Sequence, residues 1–269
     1  MPPQSPVHPI RRRPLARGLT LTLLVTGALG GLAACGAPAD RAAADGPANA
    51  SVAREPQQEP GGGRAGRAAP TGLPRELPGI GPRTLAKVPE ESRQMLVVTG
   101  EGRDSSRSTA VLYERAADGR LRPGPTWAAH NARHGWTDRH VQGDLRSPIG
   151  VFGLTDAGGL HADPGSGLPY DRSRAFTAVG TGFEGEPLAG AFDYVVAINY
   201  NRKPGTSPLD WTRPLGAARG GGIWVHVDHD GPTQGCVSLD KRHMRDLIRA
   251  LDPDLHPVIV MGDAKSLAR

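Results

Sequence analysis

Gly220-Gly221-Gly222-Ile223-Trp224-Val225-His226-Val227-Asp228-His229-Asp230-Gly231-Pro232-Thr233-Gln234-Gly235-Cys236-Val237-Ser238-Leu239 is the stretch on which the reading of this chain turns. A glycine run opens it. The β-branched and aromatic residues that follow alternate, which predicts a strand with His226 and Asp228 on one face and Val225 and Val227 on the other. Asp230-Gly231-Pro232 forces a turn, and the chain then presents Gly235-Cys236. A histidine on a strand and a cysteine just past the next turn can be brought side by side. Thiol nucleophilic catalysis uses such a pair: the imidazole takes the thiol proton and the sulfur attacks a carbonyl. Backbone N–H groups at Gly235 and Cys236 can face a developing oxyanion, and a glycine before the nucleophile leaves space for substrate.

A second reading makes the same residues a metal site, built from His226, Asp228, His229, Asp230 and Cys236. Zinc sites use three or four ligands at defined spacings, and Asp230 falls in the turn. We therefore expect no metal and no cofactor. A third reading makes Cys236 a buried, inert cysteine. Its neighbours, a glycine and a histidine-bearing strand, suit that poorly.

The 269 residues contain two cysteines, Cys35 and Cys236. Arg11-Arg12-Arg13 and Arg17 form a basic segment, and residues 18–32 are uncharged and mostly apolar, too short for a membrane span. This pattern predicts an export signal over residues 1–34. Leu32-Ala33-Ala34-Cys35-Gly36 resembles a bacterial lipobox, which implies cleavage before Cys35 and a lipid on its sulfur. The alternative is an ordinary signal peptide with Cys35 as a bystander. With Cys35 lipidated, Cys236 has no partner in the chain, and an unpaired thiol in an exported protein points to chemical use. The formal charge of +5 also changes meaning. Residues 1–34 hold four arginines and no acid; without them 28 Lys+Arg face 27 Asp+Glu, a balance of +1. Nothing in that balance suggests a nucleic-acid partner.

Residues 35–82 are rich in Ala, Gly, Pro, Arg and Glu and read as a flexible linker. About 45 such residues span roughly 35–40 Å root-mean-square, which suits a membrane-anchored protein acting on a polymer some distance away. Leu77-Pro78-Gly79-Ile80-Gly81-Pro82 resembles the hairpin of helix-hairpin-helix DNA-binding modules, but its context is proline-rich. A short helix begun by Pro82 is the plainer expectation.

A domain is expected over residues 90–265. Residues 94–99, 108–115, 121–129 and 191–199 read as strands, and a shorter strand is bracketed by the glycines of 143–154. Residues 156–190 read as loop, with His161 and Asp163 as solvent-facing groups. His130, His134 and His140 match no metal spacing and read as a solvated loop. Residues 201–214 look mobile enough to cover substrate. Residues 240–251 carry apolar side chains at helical spacing, with Ser238 or Asp240 as cap and Pro253 beyond the end; residues 258–261 close as a strand. The expected fold is thus mainly β, with one helix after the candidate nucleophile, preceded by a disordered tether.

The segment from Ile223 to Val227, followed by Pro232-Thr233-Gln234-Gly235-Cys236-Val237-Ser238-Leu239, resembles the catalytic motif of the L,D-transpeptidases of the YkuD type. Gly143-Asp144, with Ser147-Pro148-Ile149-Gly150-Val151-Phe152, resembles that family's upstream Gly-Asp-x-x-Thr-Pro-x-Gly-x-Phe element. The resemblance covers about residues 92–263. It implies a mainly β fold around a curved, sandwich-like sheet, peptidoglycan stem peptides as substrate, Cys236 as nucleophile and His226 as general base. It maps Thr233, Gly235 and the backbone around Cys236 onto supporting positions. Two departures stand out: Gln234 where many members have histidine, and Ser238 where many have Arg or Asn. His229 is the candidate to replace the missing orienting group, and Tyr200, Asn201 and Ser238 are candidate substrate contacts. The expected product is a 3→3 cross-link made by a monomer. The alternatives are an L,D-carboxypeptidase, with water as acceptor, and a non-catalytic wall-binding lipoprotein.

Overall fold

The computed structural model describes residues 73–269. The export signal, Cys35 and the linker up to residue 72 lie outside the described residues. The elements run in the order α1 (Pro82–Leu85), β1 (Gln94–Gly100), β2 (Arg107–Arg115), β3 (Leu121–His130), β4 (Trp136–Thr137), β5 (Ser147–Pro148), β6 (Gly150–Gly159), β7 (Tyr170–Arg172), β8 (Val195–Ile198), β9 (Trp224–Val227), β10 (Val237–Leu239), α2 (Lys241–Ala250), β11 (Val258–Asp263) and α3 (Ala264–Leu267).

Nine strands form one sheet in the order β11-β1-β2-β3-β10-β9-β8-β6-β7, and an extra β11–β6 pairing closes it on itself. The fold is therefore mainly β, as expected, with the curvature carried to closure. The long strand β6 makes the closure. Its first half, Gly150 to Gly153, pairs with β11, and its second half, Leu154 to Gly158, pairs with β8, with a register shift between Leu154 and Ala157. A bulge of this kind bends a strand and lets it serve two neighbours. Closure removes the exposed edges that an open sheet of this size would carry.

Alternation along the strands separates two environments. Val196 and Ile198 of β8, Val225 and Val227 of β9, and Val237 and Leu239 of β10 enter the main core. Helix α2 adds Met244, Leu247, Ile248 and Leu251 to the same core, and the Asp240 carboxylate caps the helix by accepting the Arg242 N–H at 2.8 Å. The intervening residues face the other way. Val195, Ala197 and Trp224 form a separate cluster with Phe176, and Cys236 packs against it.

The domain begins earlier than the sequence suggests. Leu77 and Ile80, inside the expected linker, are buried against Met95, Val260 and Leu267. Pro74 accepts the Leu121 N–H, and Gly81 donates to Leu267. Two apolar anchors in a Pro/Gly-rich context are enough to seat the segment, although its composition reads as linker. At the other end α3 buries Leu267, so the fold also runs past residue 265.

Candidate active site

Strands β9 and β10 are parallel, with Val225 beside Val237 and His226 beside Ser238. Because residues two apart share a face, Trp224, His226, Cys236 and Ser238 all project from the side opposite the main core. Cys236 is level with Trp224, one rung from His226. A diagonal of this kind separates Cα atoms by about 7–8 Å, and the Cys236 sulfur makes its own hydrogen bonds with Trp224 and Gly222. Cys236 and His226 both line one cleft of about 370 Å³. His226 is almost fully buried, whereas Cys236 keeps part of its side chain open to the cleft.

The His226 ring has a defined tautomer. Its Nδ1 lies 2.9 Å from the Val227 carbonyl, which can only accept, so the proton sits on Nδ1 and Nε2 is left as the base. Phe192 meets the ring edge-on at 5.4 Å, and His229 stacks on it at 5.8 Å with the planes 10° apart. Burial pushes the imidazole down to about 4. Burial also pushes the Cys236 thiol up to about 11, against the pull of the Trp224 N–H, which reaches the sulfur at 3.4 Å. The thiol proton points to the Gly222 carbonyl at 3.7 Å. The resting pair is thus neutral thiol and neutral imidazole. An ion pair formed in advance is not what this pocket holds.

The backbone of Cys236 is clamped. Thr233 donates its hydroxyl to the Cys236 carbonyl at 2.7 Å, and Ser147 does so at 3.1 Å. Ser147 in turn accepts the Ala132 N–H at 3.0 Å. Thr233 thus holds the Cys236 carbonyl from three residues away. Gly235 is buried against Ile223 and His140, and Gln234 lies exposed at the cleft wall.

Three candidate substrate contacts are misplaced. Tyr200 is buried in the main core, where it donates to the Arg219 carbonyl at 2.9 Å. Asn201 is buried too; it holds the following loop through the Gly216 and Gly220 carbonyls and the Leu215 N–H. Ser238 has no exposure and donates to Asp228 at 2.6 Å. None of the three borders the cleft, because their polar atoms are spent on loops and on the neighbouring strand.

Of the three histidines expected in a solvated loop, His134 is exposed and the other two differ. His140 is buried at the cleft, 3.0 Å from Asp144, and burial lowers its proton affinity. His130 pairs with Asp228 at 2.9 Å, which raises its proton affinity despite partial burial. The cover of the cleft is shared differently from expectation as well. Of residues 201–214 only Trp211 borders it, whereas Ala178, Thr181, Gly182, Phe183 and Leu188 come from the segment read as plain loop. Among the described residues no group of His, Cys, Asp or Glu is arranged to hold a metal.

Sequence reasoning missed Ser147, His140 and Glu186. Ser147 acts 89 positions from Cys236, and the other two sit in segments without periodicity. Only the Gly143–Phe152 block carried a signal that its loop belongs beside the cysteine.

No family model matches the chain, and no curated protein matches it. Among solved structures, the crystal structure of the helical cell shape determining protein Pgp2 from Campylobacter jejuni aligns with 63% of this chain and 47% of that one, at 16% identity and a TM-score of 0.35. The aligned part spans about half the length of that protein, and a likeness at this level adds nothing to the fold or the site described above.

Proposed function

We propose that the protein is a peptidoglycan L,D-transpeptidase in which Cys236 is the nucleophile and His226 the general base. The observation that supports this reading is the shared outward face of β9 and β10, from which Cys236 and His226 both line one cleft. The cleft volume of about 370 Å³ lies in the range that holds small ligands.

The neutral resting pair sets the order of events. As Sγ attacks the carbonyl between the third stem residue and the terminal D-alanine, His226 Nε2 takes the thiol proton. Backbone N–H groups at Gly235 and Cys236 face the oxyanion in this reading. Collapse breaks the amide C–N bond, and the imidazolium gives its proton to the departing D-alanine amine. A thioester remains on Cys236. The side-chain amine of a second stem then attacks the thioester and loses a proton to His226, which returns it to the released thiolate. The Thr233 and Ser147 clamp on the Cys236 carbonyl fixes the peptide plane on which this geometry depends. In this reading the leader is cleaved and the lipid on Cys35 anchors the enzyme to the membrane facing the cell wall.

Incubating the protein with a stem tetrapeptide and following masses tests the proposal. A cross-linked dimer that disappears in Cys236→Ala supports it. A tripeptide without dimer assigns water as the acceptor and makes the enzyme a carboxypeptidase. Unchanged tetrapeptide refutes an enzymatic role.

A further inference from the structure

The segment from Gly180 to Leu188 is a tight hairpin. Leu188 donates to the Gly180 carbonyl at 3.1 Å, Gly182 donates to Glu186 at 2.8 Å, and Thr181 bridges to Pro187. At its tip the Arg133 guanidinium sits 4.9 Å over the Phe183 ring. The hairpin forms one wall of the cleft, and its Glu186 reaches the catalytic strand. Glu186 Oε1 lies 3.2 Å from His229 Nδ1, within ion-pair range though not aligned as a hydrogen bond, with both side chains largely buried. The other carboxylate oxygen accepts the Glu184 N–H at 2.7 Å.

Two glycines make the space for this carboxylate. A Cβ at Gly231 would lie 2.3 Å from Glu186 Oε1, and one at Gly182 would lie closer still. His229, once held, lies parallel to His226.

We propose that Glu186 is a positioning residue: by pairing with His229 it holds that ring against His226 and latches the 180–188 hairpin over the cleft, so that the general base is set only when the hairpin is closed. This rests on the reading of His226 as the base. The groups facing His229 are Glu186 from the hairpin, His226 from β9, and Asp228 and Asp230 beside it in the chain. Burial works against a charged Glu186, but its own and the Glu184 backbone N–H groups and the His229 ring together hold the carboxyl below the usual range.

The test uses the full chain and the rate at which iodoacetamide alkylates Cys236, measured near pH 6.5 and near pH 9. A thiol helped by His226 keeps a substantial rate at the lower pH, whereas hydroxide drives the rate at the higher. Glu186→Gln is expected to lower the rate near pH 6.5 by about three- to tenfold and leave the rate near pH 9 unchanged. Gly231→Ala, which evicts the carboxylate while keeping Glu186, is expected to do the same. Glu186→Asp should restore part of the loss, and Glu184→Gln should match the wild type. An unchanged rate near pH 6.5 in Glu186→Gln, or an equal change at both pH values, overturns the inference. Failure of the parent reading looks different: His226→Asn then leaves the wild-type rate near pH 6.5 unaltered. In that event the Hε1 resonance of His226 decides the latch, which requires it to move in both Glu186→Gln and Gly231→Ala.

Discussion

Ser147 donates its hydroxyl to the carbonyl of Cys236 at 3.1 Å, across 89 positions of sequence. This bond joins the Gly143–Phe152 block to the loop that presents the thiol. It also explains why a serine is buried without any exposure, since the same oxygen accepts the Ala132 N–H. Ser147→Ala strands that N–H and leaves the Cys236 carbonyl with Thr233 alone. The expected cost is about 1–3 kcal/mol of folding stability, the usual penalty for an unsatisfied buried polar group. A thermal melt reads the first effect. A drop in dimer formation larger than the loss of folded protein reads the second, a displaced nucleophile.

Acid should weaken the fold through His226. Its native value is depressed to about 4 while the unfolded chain titrates near 6.5. Above pH 6.5 the ring is neutral in both states and contributes no pH dependence. Between 6.5 and 4 the unfolded chain binds a proton that the native state refuses, so stability falls as pH falls, by roughly 3 kcal/mol at most. His226→Phe removes this contribution. In denaturant melts the wild type should lose stability relative to His226→Phe as pH drops through that window; parallel curves would mean the ring binds its proton as readily in the fold as in the unfolded chain.

His130 is expected to act with the opposite sign. Its hydrogen bond to Asp228 raises its native value above 6.5. The stabilisation is therefore fully present below pH 6.5 and disappears as pH rises through the raised native value. His130→Gln should cost on the order of 1 kcal/mol at pH 6 and little at pH 9. Because Ser238 donates to the same Asp228 oxygen, Ser238→Ala at pH 6 should add to the His130→Gln loss non-additively, which a double-mutant cycle measures.

Much of the fold was legible where burial has a period. Strand β1 was expected over 94–99 and spans Gln94–Gly100; the helix was expected over 240–251 and spans Lys241–Ala250. The closing strand β6 was legible only at its start. Its second half, Thr155-Asp156-Ala157-Gly158-Gly159, lacks β-branched alternation because neighbours come too close for side chains. A Cβ at Gly158 would lie 2.6 Å from the Asp171 carbonyl oxygen, and one at Gly159 would lie 2.2 Å from that of Asp193. Sequence patterns record side chains that pack, and here the packing is done by backbone.

The site divides in the same way. The alternation of Val225, His226 and Val227 placed the histidine on the face away from the core, and β9 keeps it there. The parallel register with β10, which brings Cys236 to that face, depends on a loop whose geometry no local pattern specifies. Tyr200 and Asn201 were misread for a related reason. Polar side chains next to a strand look available to substrate until the carbonyls of the 216–220 loop are seen to occupy them.

Gly235 offers a way to separate substrate binding from thiol chemistry. Its backbone is outside the left-handed region, so alanine is tolerated there without strain. The added methyl would sit 3.0 Å from Ile223 Cδ1 and 3.6 Å from His140 Cε1, and the Ile223 terminus can yield the few tenths of an ångström required. Folding stability should therefore change by less than about 1 kcal/mol. Ile223, His140 and Gly235 all border the cleft, so the methyl narrows the wall beside Cys236. Gly235→Ala is expected to raise KM for a stem tetrapeptide several-fold while iodoacetamide, a much smaller reagent, still alkylates Cys236 at close to the wild-type rate. Equal losses in both assays would show that the methyl has moved the sulfur itself, and that Gly235 serves the geometry of Cys236 rather than the passage of substrate.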